Sequence, residues 1–214
     1  MNRHFFKAAL FDLDGVVINT EPQYSVFWGA QGKEFHPEMA DFAERIKGQT
    51  LTQIYAGYFS GPLTEVQPII NERLAEFEAN MQFEDIPGVT PFLKWLNQRG
   101  VRTAVVTSSN QEKMTSLYRK RPDLKELFDV ILTAEDFAES KPHPDCYQKA
   151  AARLLLSADE CLVFEDSFNG LKAGRAAGMK VVGLTTTNRA ELIADLSDWL
   201  IADFSDTDLL YQLF

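Results

Sequence analysis

Cysteine, basic residues and long apolar runs are all scarce in this chain of 214 residues, and each shortage removes a class of function. Only two cysteines occur, Cys146 and Cys161, and no Asn-x-Ser/Thr acceptor is present. A disulfide-framed secreted domain is therefore not expected, and a reducing cytoplasm is the expected location. Lys and Arg number 21 against 31 Asp and Glu, for a formal net charge of -10. Such a balance repels nucleic-acid phosphates and anionic membrane surfaces, so neither is an expected partner. No stretch approaches the ~20 apolar residues of a membrane span, and Asp12 and Asp14 interrupt the first apolar run before a signal-peptide core could form. What is present, 45% hydrophobic and 24% charged residues, is the composition of a globular protein of one large domain, or of a domain carrying an insert.

Short apolar, β-branched or aromatic runs recur at residues 8–11, 103–106, 130–132, 162–164 and 181–184, and read as buried strands. Helical patterns lie between them at 89–99, 111–120, 144–156 and 169–177. This alternation predicts an α/β fold with a Rossmann-like, doubly wound parallel sheet. Residues 16–84 break it, because their apolar residues fall at helical spacing. Tyr24, Phe27 and Trp28 form one group, Ile54, Tyr55, Tyr58 and Phe59 another, and Ile70, Leu74, Phe77 and Met81 a third. The expected organisation is a sheet domain of residues 1–15 and 85–214 carrying an inserted helical domain over 16–84. The aromatic groups of the insert are expected to form its own core. Two adjoining linkers, Gly15 to Ile18 and Asp85 to Gly88, would suit hinge motion.

In an open parallel sheet, ligands bind at the carboxyl ends of the strands, so the first polar residue after each apolar run is informative. The first run ends in Asp12-Leu13-Asp14-Gly15, and residues two apart in extended chain share a side. The second ends at Thr107, the third leads through a loop to Lys141, and the fourth ends at Glu165 and Asp166. Four carboxylates at one edge require a cation, and an oxygen-only set favours a hard ion such as Mg²⁺. Mg²⁺, a lysine and a hydroxyl together suit phosphoryl transfer, which depends mainly on positioning and on cationic stabilisation. One carboxylate, Asp12, would attack phosphorus and the other, Asp14, would move the proton. An EF-hand beginning at Asp12 fails on spacing, since Val17 and Gln23 stand where Gly and Glu are needed.

The segments Phe11-Asp12-Leu13-Asp14-Gly15-Val16, Val105-Val106-Thr107-Ser108, Ser140-Lys141-Pro142 and Phe164-Glu165-Asp166-Ser167 resemble the four ordered motifs of the haloacid dehalogenase superfamily. The insert after the first motif resembles the small helical cap of its β-phosphoglucomutase-like branch. The resemblance implies Asp12 as nucleophile, Asp14 as general acid/base, and Thr107, Ser108 and Lys141 as phosphoryl binders. It further implies Mg²⁺ held by Asp12, the Asp14 carbonyl and Asp166, with Glu165 supporting the metal through water. An acid at Asp14 points to phosphoryl transfer, because displacing a halide needs no leaving-group proton.

The expected activity is a Mg²⁺-dependent phosphatase acting, as a monomer, on a small phosphorylated metabolite, with a sugar phosphate as the family-level substrate. A phosphosugar mutase is the alternative. It needs cations for a second phosphate, and the mutase pattern's Lys, cap Arg and cap-proximal His fall at Asn110, Leu51 and Tyr24. Lys47 is the cap cation that could meet substrate. A response-regulator receiver carries its phospho-accepting Asp on the third strand, whereas here the third run ends Leu132-Thr133-Ala134. Gly170, Gly174 and Gly178 are expected to allow close helix packing, since they match no nucleotide loop.

Overall fold

A computed structural model describes residues 6–47, 49–206 and 208–214. The chain forms two compact units, one of residues 1–19 and 83–214, the other of Thr20–Gln82. The first contains six strands, β1 (Ala8–Phe11), β2 (Arg102–Val106), β3 (Val130–Leu132), β4 (Cys161–Glu165), β5 (Lys180–Leu184) and β6 (Trp199–Ile201). All pair in parallel, in the order β3-β2-β1-β4-β5-β6. The sixth strand was not expected. It is three half-buried residues at the edge of the sheet, too short for an alternation to be read.

The Thr20–Gln82 unit holds α1 (Glu21–Phe35), α2 (Phe42–Arg45), α3 (Leu51–Tyr58) and α4 (Gln67–Asn80), with no strand among its described residues. Its apolar side chains converge on one core that includes Phe27, Trp28, Phe42, Ile54, Phe59 and Ile70, with Tyr24, Tyr55, Tyr58 and Phe77 packed against it. The aromatic groups of the insert are thus core residues. Thr50 starts α3 with a capping box, accepting from the Gln53 N–H while the Gln53 side chain accepts from its own.

In the sheet unit the helices are α5 (Val89–Gln98), α6 (Gln111–Lys120), α7 (Asp145–Leu154), α8 (Phe168–Ala176), α9 (Ala190–Ile193) and α10 (Asp208–Tyr211). The central strands are buried on both faces, as a parallel sheet covered by helices requires. One face, with Ala8, Leu10, Ala104, Val106 and Val163, packs on Cys146, Tyr147, Ala150 and Leu154 of α7 and on Leu171 and Ala173 of α8. The other face is aromatic. Phe11 and Phe164 stack on adjacent strands with centroids 4.7 Å apart, and Phe92 of α5 and Phe204 pack against both.

Glycine makes two close approaches possible. A Cβ on Gly174 would lie 3.0 Å from Val181 and 3.2 Å from Val163, so α8 rides directly on the sheet. A Cβ on Gly170 would lie 1.6 Å from Glu165 Oε1, so only glycine leaves room for that carboxylate. The segments at 15–18 and 85–88 run side by side, joined by a bridge between Ile18 and Asp85 and by the Ile86 N–H donating to the Val17 carbonyl at 2.9 Å. No helix among the described residues is long and apolar enough to cross a membrane.

Phe92 is fully buried and meets Phe11, Trp95, Phe164, Phe204 and Phe214. Replacing it with Ala opens a cavity under the strands that carry the motifs. Phe92→Ala is expected to cost about 3–5 kcal/mol, read as a lower urea midpoint with an unchanged slope.

Candidate active site

The chain runs from β1 to β2 and β3 on one side, then crosses to β4 and β5 on the other. Beside β1 lies the switch point at which open α/β sheets place their ligands. The residues following β1, β2 and β4 meet there. For β1 and β2 the parallel pairing continues one step beyond the last residue, with the Asp12 N–H donating to the Phe164 carbonyl at 3.0 Å and the Thr107 N–H to the Leu132 carbonyl at 3.0 Å. The backbone under the first two motifs is therefore fixed by the sheet itself.

Lys141 lies at the centre. Its amine is 2.5 Å from Asp12 Oδ1, 2.7 Å from Glu165 Oε1 and 3.0 Å from the Val106 carbonyl, and the residue is buried. Burial alone would lower its pKa, but Asp12 and Glu165 beside it hold the amine well above its ordinary value. Asp12 is driven the other way. Burial pushes its carboxyl up, Lys141 pulls it down, and the neighbouring Glu165 and Asp14 push it up again, to about 7. One ammonium does not offset this cluster of acids.

Glu165, fully buried, uses both oxygens within the protein. Oε1 accepts from Lys141 and, at 3.1 Å, from the Tyr147 hydroxyl. Oε2 accepts from the N–H groups of Asp166 and Ser167, each at 3.0 Å, and from Ser167 Oγ at 3.1 Å. Burial, followed by the charge of Glu165, pushes the Tyr147 hydroxyl well above its ordinary value, so it stays a proton donor. Ser167 also caps α8, its Oγ accepting from the Gly170 N–H. Asp12, Glu165 and Asp166 each offer a carboxylate oxygen within 4.8 Å of one another. That all-oxygen, excess-negative set fits a hard divalent cation, with Asp12 and Asp166 better placed to ligate than the already engaged Glu165.

Asp166 is held by a loop that the motif reading did not include. Thr187 Oγ1 donates to Asp166 Oδ2, Asn188 Nδ2 donates to its carbonyl at 2.9 Å, and Thr186 Oγ1 donates to the Gly15 carbonyl at 2.6 Å. Gly15, at φ +79°, is where a Cβ would fall 2.0 Å from Asp166 Oδ2. The run Thr185-Thr186-Thr187-Asn188 directly after β5 was the available signal, as polar residues at a strand's carboxyl end.

The second motif places its hydroxyl residues in different surroundings. Thr107 is buried and its Oγ1 accepts from the Ser109 N–H at 3.0 Å, leaving its own proton to donate. Ser108 is exposed, and it is Ser109 whose Oγ reaches Asp14 Oδ2, at 3.0 Å. Asp14 also receives the Lys113 amine, 2.7 Å from both carboxylate oxygens. Asn110 caps α6, its Oδ1 accepting from the Lys113 N–H at 2.9 Å. Lys47 belongs to the helical unit, with its amine 2.9 Å from Glu44 Oε2, and its neighbour Gly48 lies outside the described residues. Cys146 and Cys161 are buried free thiols, both pushed up to about 11 chiefly by burial, and take no part.

Comparison with known proteins agrees with this geometry. The curated validoxylamine A 7'-phosphate phosphatase of Streptomyces hygroscopicus subsp. limoneus is 32% identical over 211 residues, covering 94% of this chain and 95% of its own. The phosphorylated carbohydrates phosphatase of Thermotoga maritima is 27% identical over 180 residues, covering 81% of this chain and 82% of its own. Among solved structures, a family IA, variant 3 hydrolase from Entamoeba histolytica shares the fold with a TM-score of 0.79 at 20% identity, covering 97% of each chain. The sequence model of the haloacid dehalogenase-like hydrolases matches residues 6–178, and with the motif residues gathered on the strand ends around Lys141, the chain belongs to that family.

Proposed function

We propose that the protein is a Mg²⁺-dependent phosphatase that hydrolyses a small phosphorylated metabolite, a sugar phosphate in class, through an aspartyl phosphate on Asp12. The observation that carries this reading is the buried contact of Lys141 with Asp12 at the switch point of the sheet, with Thr107, Asp14 and Asp166 around it. Two relatives, named as a validoxylamine A 7'-phosphate phosphatase and a phosphorylated carbohydrates phosphatase, support the substrate class.

Asp12 attacks phosphorus, forming an acyl phosphate bond as the bond from phosphorus to the ester oxygen breaks. The leaving oxygen takes its electron pair and a proton from Asp14. Asp14, now a carboxylate, takes a proton from water as that water attacks the same phosphorus, and Asp12 departs as a free carboxylate with inorganic phosphate released. The Lys141 amine and the Thr107 hydroxyl hold phosphoryl oxygens throughout. Asp12, Asp166 and the Asp14 carbonyl would hold Mg²⁺, which would supply charge stabilisation for the phosphoryl group. Glu165 and Tyr147 hold Lys141, and Thr187 and Asn188 hold Asp166. Residues 16–84 are assigned the role of cap, with Lys47 meeting the non-reacting part of the substrate. The mutase alternative gains no support at Asn110, which caps α6.

Phosphate release from a panel of sugar phosphates, phosphoglycolate, nucleotides and pyrophosphate is the direct test. Release should require Mg²⁺, stop with EDTA and fall by about 10³-fold or more in Asp12→Asn; metal-independent release, or an active Asp12→Asn, would refute the reading. Lys47→Ala should raise KM and leave kcat unchanged, and unaltered kinetics would remove Lys47 from the account.

Metal binding should follow pH in a defined direction. Ligation needs Asp12 as a carboxylate, and its carboxyl is pushed up to about 7, so binding releases a proton whenever the pH is below that value. Mg²⁺ affinity by calorimetry should therefore fall toward about tenfold per pH unit below about 7 and level off above it. The same affinity at pH 5.5 and pH 8 would contradict this, and Asp166→Asn should abolish binding.

A further inference from the structure

Lys113 is the third residue of α6, a place where the helix dipole disfavours a cation. It is also buried, with its side chain only 4% exposed, and burying an ammonium is costly without a partner. Both unfavourable placements of this lysine are met by a long-range ion pair, the amine lying 2.7 Å from both oxygens of Asp14 across 99 positions of sequence. A residue that breaks local preferences in favour of one long-range contact is a mark of function.

Asp14 itself is 20% exposed at its side chain, so its carboxylate is open enough to turn unless it is held. Ser109 Oγ, 3.0 Å from Oδ2, and the Lys113 amine, equidistant from both oxygens, approach it from consecutive parts of the segment after β2. Ser109 is fixed in turn by its N–H on Thr107 Oγ1 and its carbonyl under the Ala134 N–H, while the Asn110 cap fixes the first turn of α6. The second motif thus does two things from one backbone segment. Thr107 serves the phosphoryl group, and the turn that follows reaches back to the acid.

We propose that Lys113, with Ser109, is a positioning residue for Asp14, holding its carboxyl group in the orientation from which it exchanges a proton with the leaving oxygen. This rests on the reading of Asp14 as general acid/base. A misplaced acid costs rate only where a proton is required, because effective proton transfer depends on the fixed geometry of the pair. Lys113 therefore matters for an alkyl phosphate, whose alkoxide must be protonated as it leaves. It matters little for p-nitrophenyl phosphate, whose phenolate leaves without a proton.

The experiment compares kcat/KM, which covers events up to release of the leaving group, for p-nitrophenyl phosphate and for an alkyl phosphate turned over by the wild type. Lys113→Met is expected to lose about 10²-fold on the alkyl ester and to stay within about threefold of wild type on the aryl ester. Equal losses on both would make Lys113 a support of the fold only and overturn the proposal, as would no loss on either. If Lys113→Met does not fold, Lys113→Gln carries the same comparison, since its shorter amide cannot span both oxygens, and the same criteria apply. Asp14→Asn separates the two levels of the argument. If it shows the selective loss and the Lys113 variants do not, only the role of Lys113 fails; if Asp14→Asn loses equally on both esters, Asp14 is not the acid and the proposal fails with it.

Discussion

The structure depends on one buried ammonium surrounded by acids. Lys141 arrives on the loop after β3 and joins what three other strands contribute: Asp12 from β1, the Val106 carbonyl from β2 and Glu165 from β4. Buried ion pairs of this kind are poor sources of stability, because desolvation offsets most of the Coulomb attraction. Their effect is on geometry, since removal of either partner leaves an uncompensated charge. Here the arrangement is deliberately unbalanced. The carboxyl of Asp12 remains raised to about 7 despite the contact with Lys141, which makes the site receptive to a cation.

The surrounding chain gives up side-chain volume and helix preference to build that centre. Gly170 leaves the first turn of α8 bare so that Glu165 can lie under it, and Gly15 turns the first loop against Asp166 at a positive φ. Hydroxyl groups do much of the remaining work. Thr186 and Thr187 tie the loop after β5 to Gly15 and Asp166, Ser167 closes on Glu165 and caps α8, and Ser109 joins Thr107 to Asp14. Each is a short side chain that satisfies a backbone or carboxylate group while filling little volume.

Much of the sheet unit could be read from the sequence because its signals are local. The five runs at 8–11, 103–106, 130–132, 162–164 and 181–184 are apolar apart from Thr103, as is usual for the strands of a helix-covered parallel sheet, and each lies within an observed strand. The family motifs were legible for a related reason: a parallel sheet places every strand's carboxyl end on one edge, so polar residues after apolar runs must share that edge. Where the signal was weak, the reading missed. β6 offers only Trp199, Leu200 and Ile201. The reach of Ser109 to Asp14 is equally silent in the sequence, because nothing in two adjacent serines says which one the turn will aim at that carboxylate.

The sequence by itself determined the first five strands and the helices between them, the aromatic core of the insert, the acidic excess and the family, because these follow from periodicity, composition and motifs contiguous in the chain. Only the tertiary structure decided which side chains complete the site. Tyr147 meets Glu165 across 18 positions, Thr187 meets Asp166 across 21, and Lys113 meets Asp14 across 99. None of these pairs has a spacing that repeats or a motif that names it. They exist because the winding of the chain around β1 brings the ends of separate strands together, and burial there sets both the charge state of Asp12 and the worth of every donor around it.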